Sequence, residues 1–169
     1  MKPLFSILAL LLLSNCSFSG DDIEFVGVTV SLDASTYEVV YSPSVVTLTV
    51  PMTIVNASVS TVYVDNLGAG GLTVHLERKK GDEWTHAFIS LRSLQFPEPL
   101  VISPGETYTY NAVYAASTDA NQPVGFTEYP LSGTYRLNVA MYASWDRSAG
   151  YKAPLPEDAR VSRSFEVIE

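Results

Sequence analysis

The chain has 169 residues, 47% of them hydrophobic, which suits one domain with a buried core. Asp and Glu number 18 against 10 Lys and Arg, a formal net charge of -8. That balance excludes a nucleic-acid partner, because a phosphate backbone needs clustered cations. Cys16 is the single cysteine, so an intramolecular disulfide and a cysteine-based metal cluster are both excluded.

In chain order, Lys2 supplies a short positive segment and Leu4 to Leu13 an apolar run broken only by Ser6. The run has the length of a signal-peptide core and falls short of the roughly 20 residues that a spanning helix needs. Residues 1–15 are therefore expected to be a signal peptide. The polar stretch Ser17-Phe18-Ser19-Gly20-Asp21-Asp22 is expected to be a flexible tether. Loss of Lys2 with the signal leaves 9 basic residues against 18 acidic ones.

Leu13-Ser14-Asn15-Cys16 resembles the lipobox of bacterial lipoproteins, with Asn15 standing where that family usually has Gly, Ala or Ser. The resemblance implies cleavage before Cys16, lipidation of its sulfur and amino group, and a membrane as partner through that anchor. Ser17 in place of Asp after the cysteine implies sorting to the outer membrane of a Gram-negative envelope. The other reading is an ordinary signal peptide cut after Ser19, which would leave a periplasmic or secreted chain.

From residue 23 onward the pattern is strands and turns. Val46, Leu48, Val50, Met52 and Ile54 alternate with Thr47, Thr49, Pro51 and Thr53, a period of two that predicts a half-buried strand. Pro51 cannot donate to a ladder and predicts an edge or bulge at its position. Asn56-Ala57-Ser58 turns the chain into a short strand at Val62 and Val64, and residues 65–71 read as a loop. Leu72, Val74 and Leu76 lead through Lys80-Gly81-Asp82 to Trp84, Ala87 and Ile89, a hairpin. Trp84 is expected in its core, and Arg78-Lys79-Lys80 at its solvated tip.

Leu100 and Ile102 precede the turn Ser103-Pro104-Gly105-Glu106. Tyr108, Tyr110, Ala112 and Tyr114 share a face of the next strand, and Ala116 to Gly125 reads as a loop. After Gly133, the residues Tyr135, Leu137, Val139 and Met141 point one way and Arg136, Asn138 and Ala140 the other. Ala143 to Asp158 reads as an ordered loop or insertion. The last strand runs about Val161 to Ile168, with Arg163 sharing the phase of Val161, Phe165 and Val167, which requires a rim position or a bulge. The sum is an all-β chain, a single antiparallel immunoglobulin-like β-sandwich of seven to nine strands over residues 23–169.

Three pieces carry a further resemblance: Asn56-Ala57-Ser58, Leu100-Val101-Ile102-Ser103-Pro104-Gly105-Glu106 and Leu131-Ser132-Gly133-Thr134-Tyr135-Arg136-Leu137. Their order, over about Val45 to Tyr142, resembles immunoglobulin-like domains of bacterial secreted proteins and lipoproteins. It is also similar to the bacterial intracellular proteinase inhibitor family. The first likeness implies a sandwich. The second implies inhibition through a protruding loop, for which 116–129 and 143–157 are the candidates.

No cofactor motif is present, and no serine sits in a nucleophile elbow. Paired acids Asp82-Glu83 and Glu157-Asp158 are adjacent, so they do not face one another across a cleft as glycosidase chemistry requires. His75 and His86 meet across the predicted hairpin and, with Glu77, form the one metal-binding alternative. The aromatic group Tyr142, Trp145 and Tyr151, beside Arg147 and Lys152, is the candidate ligand-binding surface, for a protein or glycan of the envelope.

Overall fold

The alternation from Val46 to Ile54 is decisive for the architecture: all five apolar side chains are at most 1% exposed, and the residues between them face outward. The computed structural model describes residues 25–68, 71–90, 97–118 and 125–169; the predicted signal peptide, Cys16 and the whole of the tether lie outside them. The described residues are all-β apart from one four-residue helix. They form 17 strands where the sequence predicts seven to nine, and eight of the 17 are only two or three residues long.

In chain order the strands are β1 (Val28–Leu32), β2 (Thr36–Glu38), β3 (Val40–Tyr41), β4 (Val45–Asn56), β5 (Val62–Val64), β6 (Asn66–Gly68) and β7 (Gly71–Leu72). Next come β8 (Val74–Lys80), β9 (Glu83–His86), β10 (Phe88–Ile89), β11 (Leu100–Ile102), β12 (Thr107–Ser117) and β13 (Gly125–Phe126). Last are β14 (Gly133–Val139), β15 (Met141–Asp146), β16 (Gly150–Pro154), the helix α1 (Glu157–Arg160) and β17 (Phe165–Ile168).

Three sheets carry the fold. The first has the order β1-β4-β12, with β3 also paired to β4. The second is β2-β17-β14-β8-β9 and the third β11-β5-β15-β16, while β6-β7 and β10-β13 are separate two-stranded pairs. All these pairs are antiparallel except β2 with β17, which is parallel and departs from the all-antiparallel expectation. One buried cluster draws on every sheet: Leu48 and Met52 of the first, Leu137 and Phe165 of the second, Val62 and Met141 of the third. The Tyr114 hydroxyl spans the layers, donating to the Val74 carbonyl at 3.2 Å.

Pro51 sits where β4 has lost a partner on one side. The β1 pairing ends at Met52 opposite Leu32, and the β3 pairing begins at Thr47. Asn56 then closes the strand with a fully buried side chain. Its amide nitrogen donates to the carbonyls of Ser60 (2.8 Å) and Ile102 (2.9 Å), and its oxygen accepts from the Ser58 hydroxyl (2.6 Å) and backbone (3.2 Å). One side chain thereby joins the turn, β11 and β4.

Several expectations change. Residues 143–158 are not a loop: β15 continues to Asp146 and returns as β16, a hairpin. The chain reaches it by changing sheets at Ala140, so Met141 is buried in the third sheet and does not extend β14. Residues 65–71 contain the β6–β7 pairing. Arg78 is no solvated tip, because it clamps residues 130–132 by donating to the carbonyls of Pro130 (2.9 Å) and Ser132 (2.7 Å). Lys79 and Lys80 are exposed as expected, and Lys80 pairs with Glu128.

The out-of-phase Arg163 is explained by a bulge. Tyr135 pairs with Phe165 and Asn138 with Val161, so three steps on one strand match four on the other. Ser162 turns inward at the irregularity and caps Leu137, accepting from its N–H at 2.9 Å, while Arg163 stays exposed.

Candidate functional site

The three predicted surface aromatics lie on the β15–β16 hairpin, whose register pairs two of them. Trp145 pairs with Tyr151, and Tyr142 with Pro154. The rings of Tyr142 and Tyr151 stack, centroids 4.7 Å apart at 26°. All three are half-buried, so none is a core residue and each keeps surface for contact. The pleat is interrupted at Ala153, whose φ of 52° lies in the left-handed region that L-residues enter at a cost.

The hairpin tip is locally built. The Asp146 carboxylate accepts from the N–H groups of Ser148 (2.8 Å) and Ala149 (2.9 Å), an Asx turn closed by Gly150 at φ 76°. The Ser148 hydroxyl and those backbone donors hold the Asp146 carboxyl below its ordinary range. Arg147 meets Glu98 at 2.6 Å, but both are largely exposed and such a pair contributes little. At the base, the Tyr151 hydroxyl accepts from the Asn66 N–H at 3.4 Å, and burial is the main cause of a phenol pKa pushed up to about 12.

Tyr63 belongs to the same surface and was missed in the sequence. Register places Val101, Tyr63 and Tyr142 side by side across β11, β5 and β15, with Pro154 next on β16. The Val62-Tyr63-Val64 alternation carried the signal, since two buried valines force the tyrosine between them outward. The result is an uncharged aromatic and aliphatic row across the third sheet, rimmed by Arg147, Glu98 and Lys152. Such a surface can stack on sugar rings or receive apolar side chains.

The histidine alternative is half realised. His75 and His86 lie with ring centroids 5.2 Å apart, within reach of a shared ion. Glu77, the proposed third ligand, is engaged otherwise: its carboxylate accepts from Arg136 Nε (2.6 Å) and Asn138 Nδ2 (2.9 Å). Arg136 also reaches Glu157 at 2.9 Å, and Arg160 donates to Asn138 Oδ1 at 2.8 Å. Among the described residues no group of three or more His, Cys, Asp or Glu could hold a metal ion. Trp84, expected in the core, lies on this outer face instead. It pairs with Lys79, and the Arg136 guanidinium stands 4.6 Å from its ring centroid.

Of the two loops considered for protease inhibition, 143–157 is largely the hairpin, with Leu155 buried at its end. The other lies partly outside the described residues, which resume with β13. Among the described residues no helix is long and apolar enough to cross a membrane. The chain matches no protein family, no curated protein and no solved structure.

Proposed function

We propose that this chain is a lipoprotein of the bacterial envelope, anchored through Cys16 to the outer membrane, whose immunoglobulin-like sandwich is a non-enzymatic binding module. The contact surface in this reading is the aromatic row of the third sheet, Tyr63 and Tyr142, with Tyr151 stacked on Tyr142 and Trp145 paired to Tyr151. Its partner is a protein or glycan of the envelope. The observation that carries the binding role is the stacked Tyr142–Tyr151 pair, half-exposed on a hairpin whose register and tip are fixed by backbone bonds. Aromatics held in this way give contact area at small conformational cost on binding.

Support for the sandwich comes from strand order. A β1-β4-β12 sheet and a β2-β17-β14-β8-β9 sheet contribute to one buried cluster, and β2 runs parallel to the last strand. Tyr135, near the start of β14, donates from its hydroxyl to the Leu131 carbonyl at 2.7 Å, the tyrosine-corner arrangement of such folds. The inter-sheet cysteines of antibody domains are absent, with Leu137 buried two residues beyond the tyrosine. Anchoring rests on Leu13-Ser14-Asn15-Cys16.

Two measurements test the two halves. Intact mass of the chain from the membrane fraction is expected to show a lipid increment on a chain beginning at Cys16, lost in Cys16→Ala. A soluble chain beginning near Gly20 would end the lipoprotein reading. Separately, immobilised wild type is expected to retain an envelope protein or glycan that the doubly substituted Tyr142→Ala/Trp145→Ala chain releases. Equal retention by both would remove the aromatic row as the contact surface.

A further inference from the structure

Among the described residues, strand β12 is a long sheet edge with no strand paired on its outer side, and β13 packs against it. It runs 11 residues, and its register to β4 is unbroken from Thr107 opposite Val55 to Ser117 opposite Val45. It contains no charge and no proline. The other edges are blunted in the ways natural sheets use. β2 and β11 have three residues each, and β3 has two. β9 begins with Glu83, and β16 holds Lys152, the left-handed Ala153 and Pro154. β1 has α1 packed beside it.

The free groups can be named. The Asn56 N–H donates to the Glu106 carbonyl and the Thr118 N–H to the Ser44 carbonyl, both at 3.0 Å. With the β4 register, these bonds at both ends assign the inward ladder to the even-numbered residues of β12. The N–H and C=O groups of Thr109, Asn111, Val113 and Ala115 therefore point away from β4, along the open edge. Even-numbered side chains enter the core, where Ala112, Tyr114 and Ala116 are buried, and odd-numbered ones face solvent.

Beside this edge the layers part. A cleft of about 100 Å³ is lined by Tyr110, Ala112 and Tyr114 of β12 and by Val74 and Phe88 from across the core, with His75 and Ser90 as its polar members. That is smaller than the several hundred Å³ of a typical small-molecule site. It is on the order of a single apolar side chain. A row of unpaired backbone groups next to a one-side-chain pocket is the arrangement by which a sheet takes up an extended peptide. Main-chain bonds then supply affinity, and the pocket reads alternate side chains.

We propose that β12 is a strand-acceptor site. Its occupant is an extended peptide segment of a partner protein, uncharged where it pairs with Thr109–Ala115 and with an apolar side chain seated in the cleft. Charge selects a foreign strand over a second copy, because the chain carries -8 and two copies would repel. The same charge favours Lys or Arg flanking the paired stretch. This site is distinct from the aromatic row and stands whether or not that row binds.

The test uses the full chain and a displayed library of random eleven-residue peptides. Selected peptides are expected to alternate apolar residues with Thr, Ser or Asn, and to slow amide hydrogen exchange at Thr109, Asn111, Val113 and Ala115. Val113→Pro removes an outward donor while sparing the β4 ladder, and it is expected to lower affinity at least tenfold in a folded protein. Val113→Lys, on a side chain 55% exposed, is expected to do the same without altering the backbone. Three results would each overturn the proposal. One is no selected peptide that depends on residue 113. Another is that those four amides exchange as slowly as Tyr110 and Ala112 in the free chain. The third is a dimer by sedimentation that Val113→Pro converts to monomer, which would assign the edge to a second copy.

Discussion

The hydroxyl of Tyr135 donates to the carbonyl of Leu131, four residues before it, at 2.7 Å, and both residues are 1% exposed. The bond pins the segment that enters β14, and Arg78 covers it from outside with its guanidinium 5.6 Å from the Tyr135 ring. Tyr135→Phe keeps the ring and leaves a buried carbonyl without its donor. The expected loss is about 1–2 kcal/mol of folding stability, read as a lower urea midpoint with an unchanged slope.

Asn56 should be costlier. Its amide makes four hydrogen bonds in a site from which water is excluded, and truncation removes all four together, including the donor to the Ile102 carbonyl. Asn56→Ala is expected to lose about 3 kcal/mol. Ser58→Ala removes one of the four bonds and should lose about 1 kcal/mol. Chemical denaturation of the two variants separates the cases.

The Glu77–Arg136 pair is largely shielded, with side chains 10% and 17% exposed. Removing one partner leaves the other charge poorly solvated, so Glu77→Ala is expected to cost about 2–3 kcal/mol. Glu157, which meets the same arginine from the surface, should cost under about 1 kcal/mol when replaced by alanine. Trp84 stands against that guanidinium, so its fluorescence should shift in Glu77→Ala and hold nearly constant in Glu157→Ala.

Alkali should weaken the fold through its tyrosines. Burial raises the phenol pKa values of Tyr114, Tyr135 and Tyr37 above the ordinary 10.0, and that of Tyr151 to about 12. Below pH 10 these phenols are neutral in both the folded and unfolded chain, and their contribution is fully present. Above it the unfolded chain ionises first, so stability falls as pH rises through 10 towards 12. Tyrosinate absorbance followed with denaturant midpoint across that range should show late-titrating phenols and a declining midpoint together. A midpoint flat to pH 12 would contradict this.

Strands with clean alternation were legible in the sequence, because burial on one face leaves a period of two: β4 and β14 follow the pattern residue by residue. The β15–β16 hairpin was not, because Ala153 breaks the pleat and a sheet change at Ala140 resets which neighbours each side chain meets. Trp84 was misplaced for a related reason. Hydrophobicity favoured the core, but pairing with Lys79 assigns it to the face where Arg136 covers its ring. The aromatic trio was visible as a composition feature, and Tyr63 joined it only once register set β5 beside β15. An open edge such as that of β12 has no sequence signature beyond missing charge and proline, since whether a strand ends a sheet depends on what fails to pair with it.

The parallel pairing of β2 with β17 decides how the described fold would respond to mechanical load. Thr36–Glu38 lie beside Glu166–Ile168 and run in the same direction, one near the start and the other at the end of the described residues. Tension between those two ends draws the strands past each other lengthwise, so their bonds resist together and do not open one at a time like a zipper. A protein held at one end by a surface and engaged at the other by a partner would take that pull first on β1, which pairs with β4, and then on the lengthwise β2–β17 contact.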